Sequence, residues 1–271
     1  MRPIRTISVL PTLFTLGNLV CGFFAIVVAS RVVAPLSAAS NSADMEHLVL
    51  SGWLIFIAMI FDALDGYVAR LSGTASDFGA QLDSLCDAVT FGVAPGFLLV
   101  KMCPRFAYMH KEAVWIIAAS FAACAVLRLA RFNVETSDGD DHLSFSGLPS
   151  PAAAAAIASF AIIFHTLRDK ECTLVFAEGL DVVLQTILPF FAVAVALLMV
   201  SRIPYPHVVN QIFRGQKSFG HVVAVVFALV AVMVIKGYSV PIVCCAFALS
   251  GPVRLCWIKV VQKRRQEDPL F

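Results

Sequence analysis

The chain has 271 residues, of which 59% are hydrophobic and only 14% charged, and its formal net charge is +2. A mean hydropathy of +0.86 excludes an ordinary soluble domain, in which about a quarter of residues are charged. A net charge of +2 says little about nucleic acid, no nucleic-acid partner is expected, and the composition predicts an all-α fold: a polytopic bundle of helices in membrane lipid.

Eight apolar runs follow one another, near 10–30, 48–70, 78–100, 112–132, 150–167, 182–201, 220–237 and 239–258, each close to the roughly 20 residues that a bilayer core requires. The first follows Arg2 and Arg5 as a signal peptide would, but it is longer than the ~7–15 residues of a signal h-region and has no clear cleavage site. The second and third runs contain aspartates and are joined by a short connection that includes Ser76. The fourth ends at Arg128, Arg131 and Asn133, and residues 134–147, with Asp138, Asp140 and Asp141, form the most polar connection. Ser150 before Pro151 reads as an N-cap followed by proline at N1, opening the fifth helix, and Pro189 is expected to kink the sixth. Asn18 and His165 read as satisfied polar groups, and the eight cysteines as small buried hydrophobes without metal-ligand spacing. The last two runs carry few polar groups, apart from Lys236 at their external turn. With the N-terminus inside, thirteen of the twenty Lys and Arg fall on the inner side, which predicts two cytoplasmic termini. The basic tail Lys263-Arg264-Arg265 then lies where anionic headgroups attract it.

The sequence Asp62-Ala63-Leu64-Asp65-Gly66-Tyr67-Val68-Ala69-Arg70, followed by Gly79-Ala80-Gln81-Leu82-Asp83-Ser84-Leu85-Cys86-Asp87, places four carboxylates inside two membrane-crossing segments. Ionised carboxylates at membrane depth are costly unless a cation compensates them, so this pattern points to a metal site. Asp62 and Asp65 share a helix face at i, i+3, and Asp83 and Asp87 share one at i, i+4. Hard divalent cations such as Mg²⁺ prefer such oxygen ligands and keep room for water and substrate phosphates. Counting from the helix ends, Asp62 lies about 12 Å and Asp83 about 9 Å from the inner surface at 1.5 Å per residue. All four acids therefore meet at one level beneath the cytoplasmic headgroups, where a pocket can take a water-soluble nucleotide from one side and a lipid from the other.

The spacing D-x2-D-G-x2-A-R-x8-G-x3-D-x3-D from Asp62 to Asp87 resembles the signature of the CDP-alcohol phosphatidyltransferases. That resemblance implies a six-helix core followed by two further helices, about eight transmembrane helices in all. Residues 1–219 would form the core, and 220–271 a C-terminal helix pair with a basic cytoplasmic tail. It also implies a transferase that moves a phosphatidyl group from CDP-diacylglycerol to an alcohol and releases CMP. By motif position, Asp62, Asp65, Asp83 and Asp87 are the implied ligands of Mg²⁺ or Mn²⁺, two ions, and Asp87 is in addition the implied general base. Gly66 would let backbone approach the nucleotide, Arg70 would hold phosphate, and Ser76 would touch the CDP group. Pro11-Thr12-Leu13-Phe14-Thr15 resembles the family's P-N-x-x-T segment, with Thr12 where asparagine is usual and Thr15 kept as a contact on the substrate side. The family also hints at a homodimer in a cell inner membrane, its active site facing the cytoplasm.

Four further segments, residues 11–22, 127–133, 145–152 and 199–206, resemble those of bacterial and archaeal phosphatidylserine synthases, which implies L-serine as the acceptor. Serine brings a carboxylate and an ammonium, and Arg128, Arg131 and Asn133 are the candidates to receive it. The structural alternative for both arginines is positive-inside anchoring. Within the family, an acceptor such as glycerol 3-phosphate or inositol phosphate would favour a more basic pocket. Outside it, a cation transporter would show broken helices with repeat symmetry, and an intramembrane aspartyl protease a Gly-x-Gly-Asp motif; neither is found.

Overall fold

A computed structural model describes residues 9–32, 42–72, 76–137, 145–168, 176–205 and 236–267. Its helices are α1 (Val9–Ser30), α2 (Ser42–Ser72), α3 (Asp77–Asp87), α4 (Ala94–Met102), α5 (Pro104–Met109), α6 (Lys111–Ser137), α7 (Ser150–Arg168), α8 (Ala177–Val200) and α9 (Ser239–Glu267). Six spans among the described residues are long and apolar enough to cross a membrane: Pro11–Ser30, Ala43–Ala69, Asp77–Met102, Glu112–Val134, Ser150–Arg168 and Ala177–Val200. They match the first six predicted runs. The apolar part of α9, Ser239–Leu255, is shorter and covers the eighth. The seventh falls almost wholly outside the described residues.

Helix α7 is the central post. Its span is 72% buried against 28% for the first two spans, and its run Ala152–Ala156 offers no side chain longer than a methyl group. Small residues let neighbouring helices approach closely when no hydrophobic force drives them together in lipid. α2, α8 and α9 all pack on α7, α1 lies along α2, and α6 packs on α8. At the end of α7 away from Ser150, Arg168 grips Asp181 of α8 with Nη2 at 2.6 Å and Nε at 3.1 Å, and Gln185 adds a bond to the same carboxylate. Pro189 lies inside α8, which continues through it to Val200.

The third span is not one regular helix. Directly after Asp87 the chain widens into a π-helical turn, Ala88–Val93, before α4 resumes. Such turns are rare and are frequent at functional sites. Just before α7 and just after α8, two short strands, β1 (Phe145–Ser146) and β2 (Pro204–Tyr205), pair antiparallel. Gly147 follows at φ +90°, a conformation that a side chain would strain, and its N–H donates to Ile203 O at 2.9 Å. Tyr205 then donates its hydroxyl to Ala248 O of α9, so the C-terminal helix is locked to this strand pair.

Candidate active site

The C-terminal third of α2 and the C-terminal half of α3 bring the predicted acids together. One carboxylate oxygen from each of Asp62, Asp83 and Asp87 lies within 4.8 Å of the other two. Asp65, one turn along α2, is buried, and the Thr15 side chain and Gly66 backbone approach its carboxylate. Asp65 Oδ2 and Asp83 Oδ1 are buried without a hydrogen-bond partner among the described residues. Clustered like charges with unpartnered buried oxygens are costly unless a cation takes up those lone pairs. An all-oxygen donor set also matches a hard divalent ion, so these residues fit such a metal. A side chain built at Gly66 would meet nothing within 4 Å among the described residues, which leaves space beside the acids for a ligand.

The remaining predicted residues divide by location. Arg128 of α6 is 8% exposed, reaches Asp62 electrostatically, and donates Nη1–H to Ser150 Oγ at 2.7 Å. Arg131, one turn on, donates to Val200 O at 3.0 Å and Ser201 O at 3.2 Å, capping the end of α8. Asn133 bonds Ser84 on α3 at 2.9 Å, tying α6 to the helix that carries Asp83 and Asp87. Ser76 is the N-cap of α3 and accepts from Gly79 N at 3.1 Å. Arg70 stands near the end of α2, its side chain outside what is described.

Two residues near the acids, Asn18 and Ser150, have only structural roles in the sequence reading, as a satisfied polar group and as a helix N-cap. Asn18, on α1, donates Nδ2–H to Asp87 Oδ1 at 2.8 Å, and Ser150 receives Arg128 through its hydroxyl. A signal existed for the first: Thr15, Asn18 and Gly22 repeat at helical spacing, a polar and small stripe on an otherwise apolar span.

Residues 8–199 match the CDP-alcohol phosphatidyltransferase family, a stretch that holds every acid of this cluster. The chain belongs to that family. Among relatives of this phosphatidyltransferase, the CDP-diacylglycerol–serine O-phosphatidyltransferase of Methanocaldococcus jannaschii is 40% identical over 160 residues, 59% of this chain and 65% of the relative. The enzyme of the same name from Helicobacter pylori is 33% identical over 205 residues, covering 76% of this chain and 75% of the relative. An archaetidylserine synthase from Methanothermobacter thermautotrophicus is 31% identical over 210 residues, 76% of this chain and 73% of the relative. As a member of this family the chain is an integral membrane phosphotransferase, and α9 lies beyond the matched segment.

Proposed function

We propose that the chain transfers the phosphatidyl group of CDP-diacylglycerol to the hydroxyl of L-serine, giving phosphatidylserine and CMP. The observation that carries the reaction type is the convergence of Asp62, Asp83 and Asp87, with buried Asp65 beside them, next to open space at Gly66. The choice of serine rests on the similarity to relatives named for that acceptor.

Asp62, Asp65, Asp83 and Asp87 would hold Mg²⁺ or Mn²⁺, two ions, with Gly66 and Arg70 on the nucleotide side. Bound there, a divalent cation neutralises pyrophosphate oxygens and stabilises the leaving phosphate. Asp87 takes the proton of the serine hydroxyl as its oxygen attacks the β-phosphorus of CDP-diacylglycerol; the bond to the CMP phosphate breaks and CMP departs. Arg128 receives the serine carboxylate, since its guanidinium stands beside Asp62 in a buried setting where a charge-assisted bond counts for more. Ser150 steadies Arg128, while Arg131 holds α8 and Asn133 holds α3. Thr15 supports Asp65, and Ser76 opens α3 at the rim, near where the CDP group is expected. The site would face the cytoplasm from an inner membrane with both termini on that side, residues 1–219 forming the core and 220–271 a terminal helix pair that braces it through Tyr205.

An acceptor panel tests this reading. The purified chain receives CDP-diacylglycerol with serine, glycerol 3-phosphate, inositol phosphate or no acceptor, and CMP is measured. Serine alone should drive release. Release driven by a phosphate-bearing alcohol would move the chain to another branch of the family.

A further inference from the structure

We propose that Asn18 is a positioning residue for Asp87, gripping one carboxylate oxygen so that the other is presented to the acceptor hydroxyl and the cation. The inference rests on the assignment of Asp87 in the preceding reading. Asn18 is fully buried in the middle of α1, at 0% exposure, and its Nδ2 lies 2.8 Å from Asp87 Oδ1. The amide must face the carboxylate with its nitrogen, because the flipped orientation would set two acceptors against each other.

The backbone around Asn18 is anchored independently of that amide. Its carbonyl accepts from Thr90 Oγ1 at 3.2 Å. One turn on, Gly22 lies so close to Thr90 that a side-chain carbon there would stand 2.8 Å from the Thr90 Cα. Thr90 belongs to the π-helical turn that begins right after Asp87. α1 is thus docked against that turn at Asn18 itself and again one turn on, which fixes the backbone from which the amide points. A carboxylate can rotate about its last bond; a bond to Oδ1 stops that rotation and leaves Oδ2 in a fixed direction. A neutral amide does this without adding charge, whereas a lysine or arginine at position 18 would compete with a cation for the same acids. Asn18 Oδ1 has no hydrogen-bond partner among the described residues, so there the bond to Asp87 is the one that holds this side chain.

The test uses the full chain in detergent micelles. Asn18→Leu keeps size and backbone but removes the donor. It should lower kcat by about 10- to 100-fold, the range typical of groups that orient metal ligands. CDP-diacylglycerol binding, the serine KM and the thermal midpoint should change little. Asn18→Ala, which leaves room for a water to donate in place of the amide, should lose less and decides the matter if the leucine variant does not fold. In an Asp87→Glu background, where the added methylene displaces the carboxylate from its 2.8 Å contact with the amide, Asn18→Leu should add less than about twofold, because partners that act through one contact are not additive. A wild-type kcat in both Asn18 variants, a loss of lipid binding that accompanies the loss of kcat, or full additivity with Asp87→Glu overturns the role of Asn18. If Asp87→Asn itself keeps wild-type activity, the assignment of Asp87 fails instead.

Discussion

Replacing Arg128 by alanine should weaken serine recognition and spare the lipid substrate. The guanidinium is 8% exposed, so solvent screens it poorly, and its bond to Ser150 at 2.7 Å fixes where it points. A charge-assisted hydrogen bond is worth about 1.5–3 kcal/mol, and each 1.4 kcal/mol is a factor of about ten, so the serine KM should rise roughly tenfold to a hundredfold. Ser150→Ala removes only the partner that aims the guanidinium and leaves its charge in place, so it should raise the same KM less than Arg128→Ala does. Arg128→Lys should rescue in part, because an ammonium cannot reproduce a two-pronged contact. Arg131→Ala serves as the internal contrast: it loses bonds to Val200 and Ser201 carbonyls, so it should lower the thermal midpoint and leave the serine KM alone. Initial rates across serine concentrations at saturating CDP-diacylglycerol, with lipid binding measured in parallel, read all four variants. A serine KM in Arg128→Ala within twofold of wild type, or a KM that rises equally in Arg131→Ala, would refute the division between the two arginines.

Other outcomes follow from the same geometry. Asp83→Asn removes a carboxylate whose Oδ1 has no partner among the described residues, and should abolish turnover; more than about a tenth of wild-type activity at saturating Mg²⁺ or Mn²⁺ would contradict its role as ligand, since misplaced catalytic groups commonly cost about 100-fold. Asp87→Asn should depress the single-turnover rate far more than CDP-diacylglycerol affinity, with no recovery on exchanging Mg²⁺ for Mn²⁺; equal losses in both would leave it a ligand only. Chelation should silence the enzyme reversibly and lower its thermal midpoint, because a cation that binds only the folded acid cluster stabilises that fold. A chelated enzyme as active as the untreated one would remove the metal from the account.

Hydropathy made six spans legible, since a run of about 20 apolar residues has few alternatives to a membrane helix. The acids were legible for the complementary reason: four carboxylates inside such runs demand compensation, and their i, i+3 and i, i+4 spacing puts each pair on one face. The π-helical turn at Ala88–Val93 was not legible, because its residues look like any other apolar stretch. Asn18 was read as a satisfied core residue; which group satisfies it is a question of tertiary contact, and its partner lies 69 positions away. Arg128 and Arg131 were read as a pair because three residues separate them, yet on a helix that spacing leaves them about 60° apart, enough to send one to the start of α7 and the other to the end of α8. The strand pair that ties residues 145–146 to 204–205 has two residues on each side, too short for any periodicity to register.

The most direct test of the central claim is transfer of labelled serine into lipid. Purified protein in mixed micelles would be given CDP-diacylglycerol, a divalent cation and L-serine labelled in its carbon skeleton, and both CMP and organic-phase label would be counted over time. The account predicts label entering lipid in one-to-one proportion with CMP, dependent on the cation and absent in Asp83→Asn. CMP release with no label in lipid, or labelled lipid formed equally by wild type and Asp83→Asn, would contradict it.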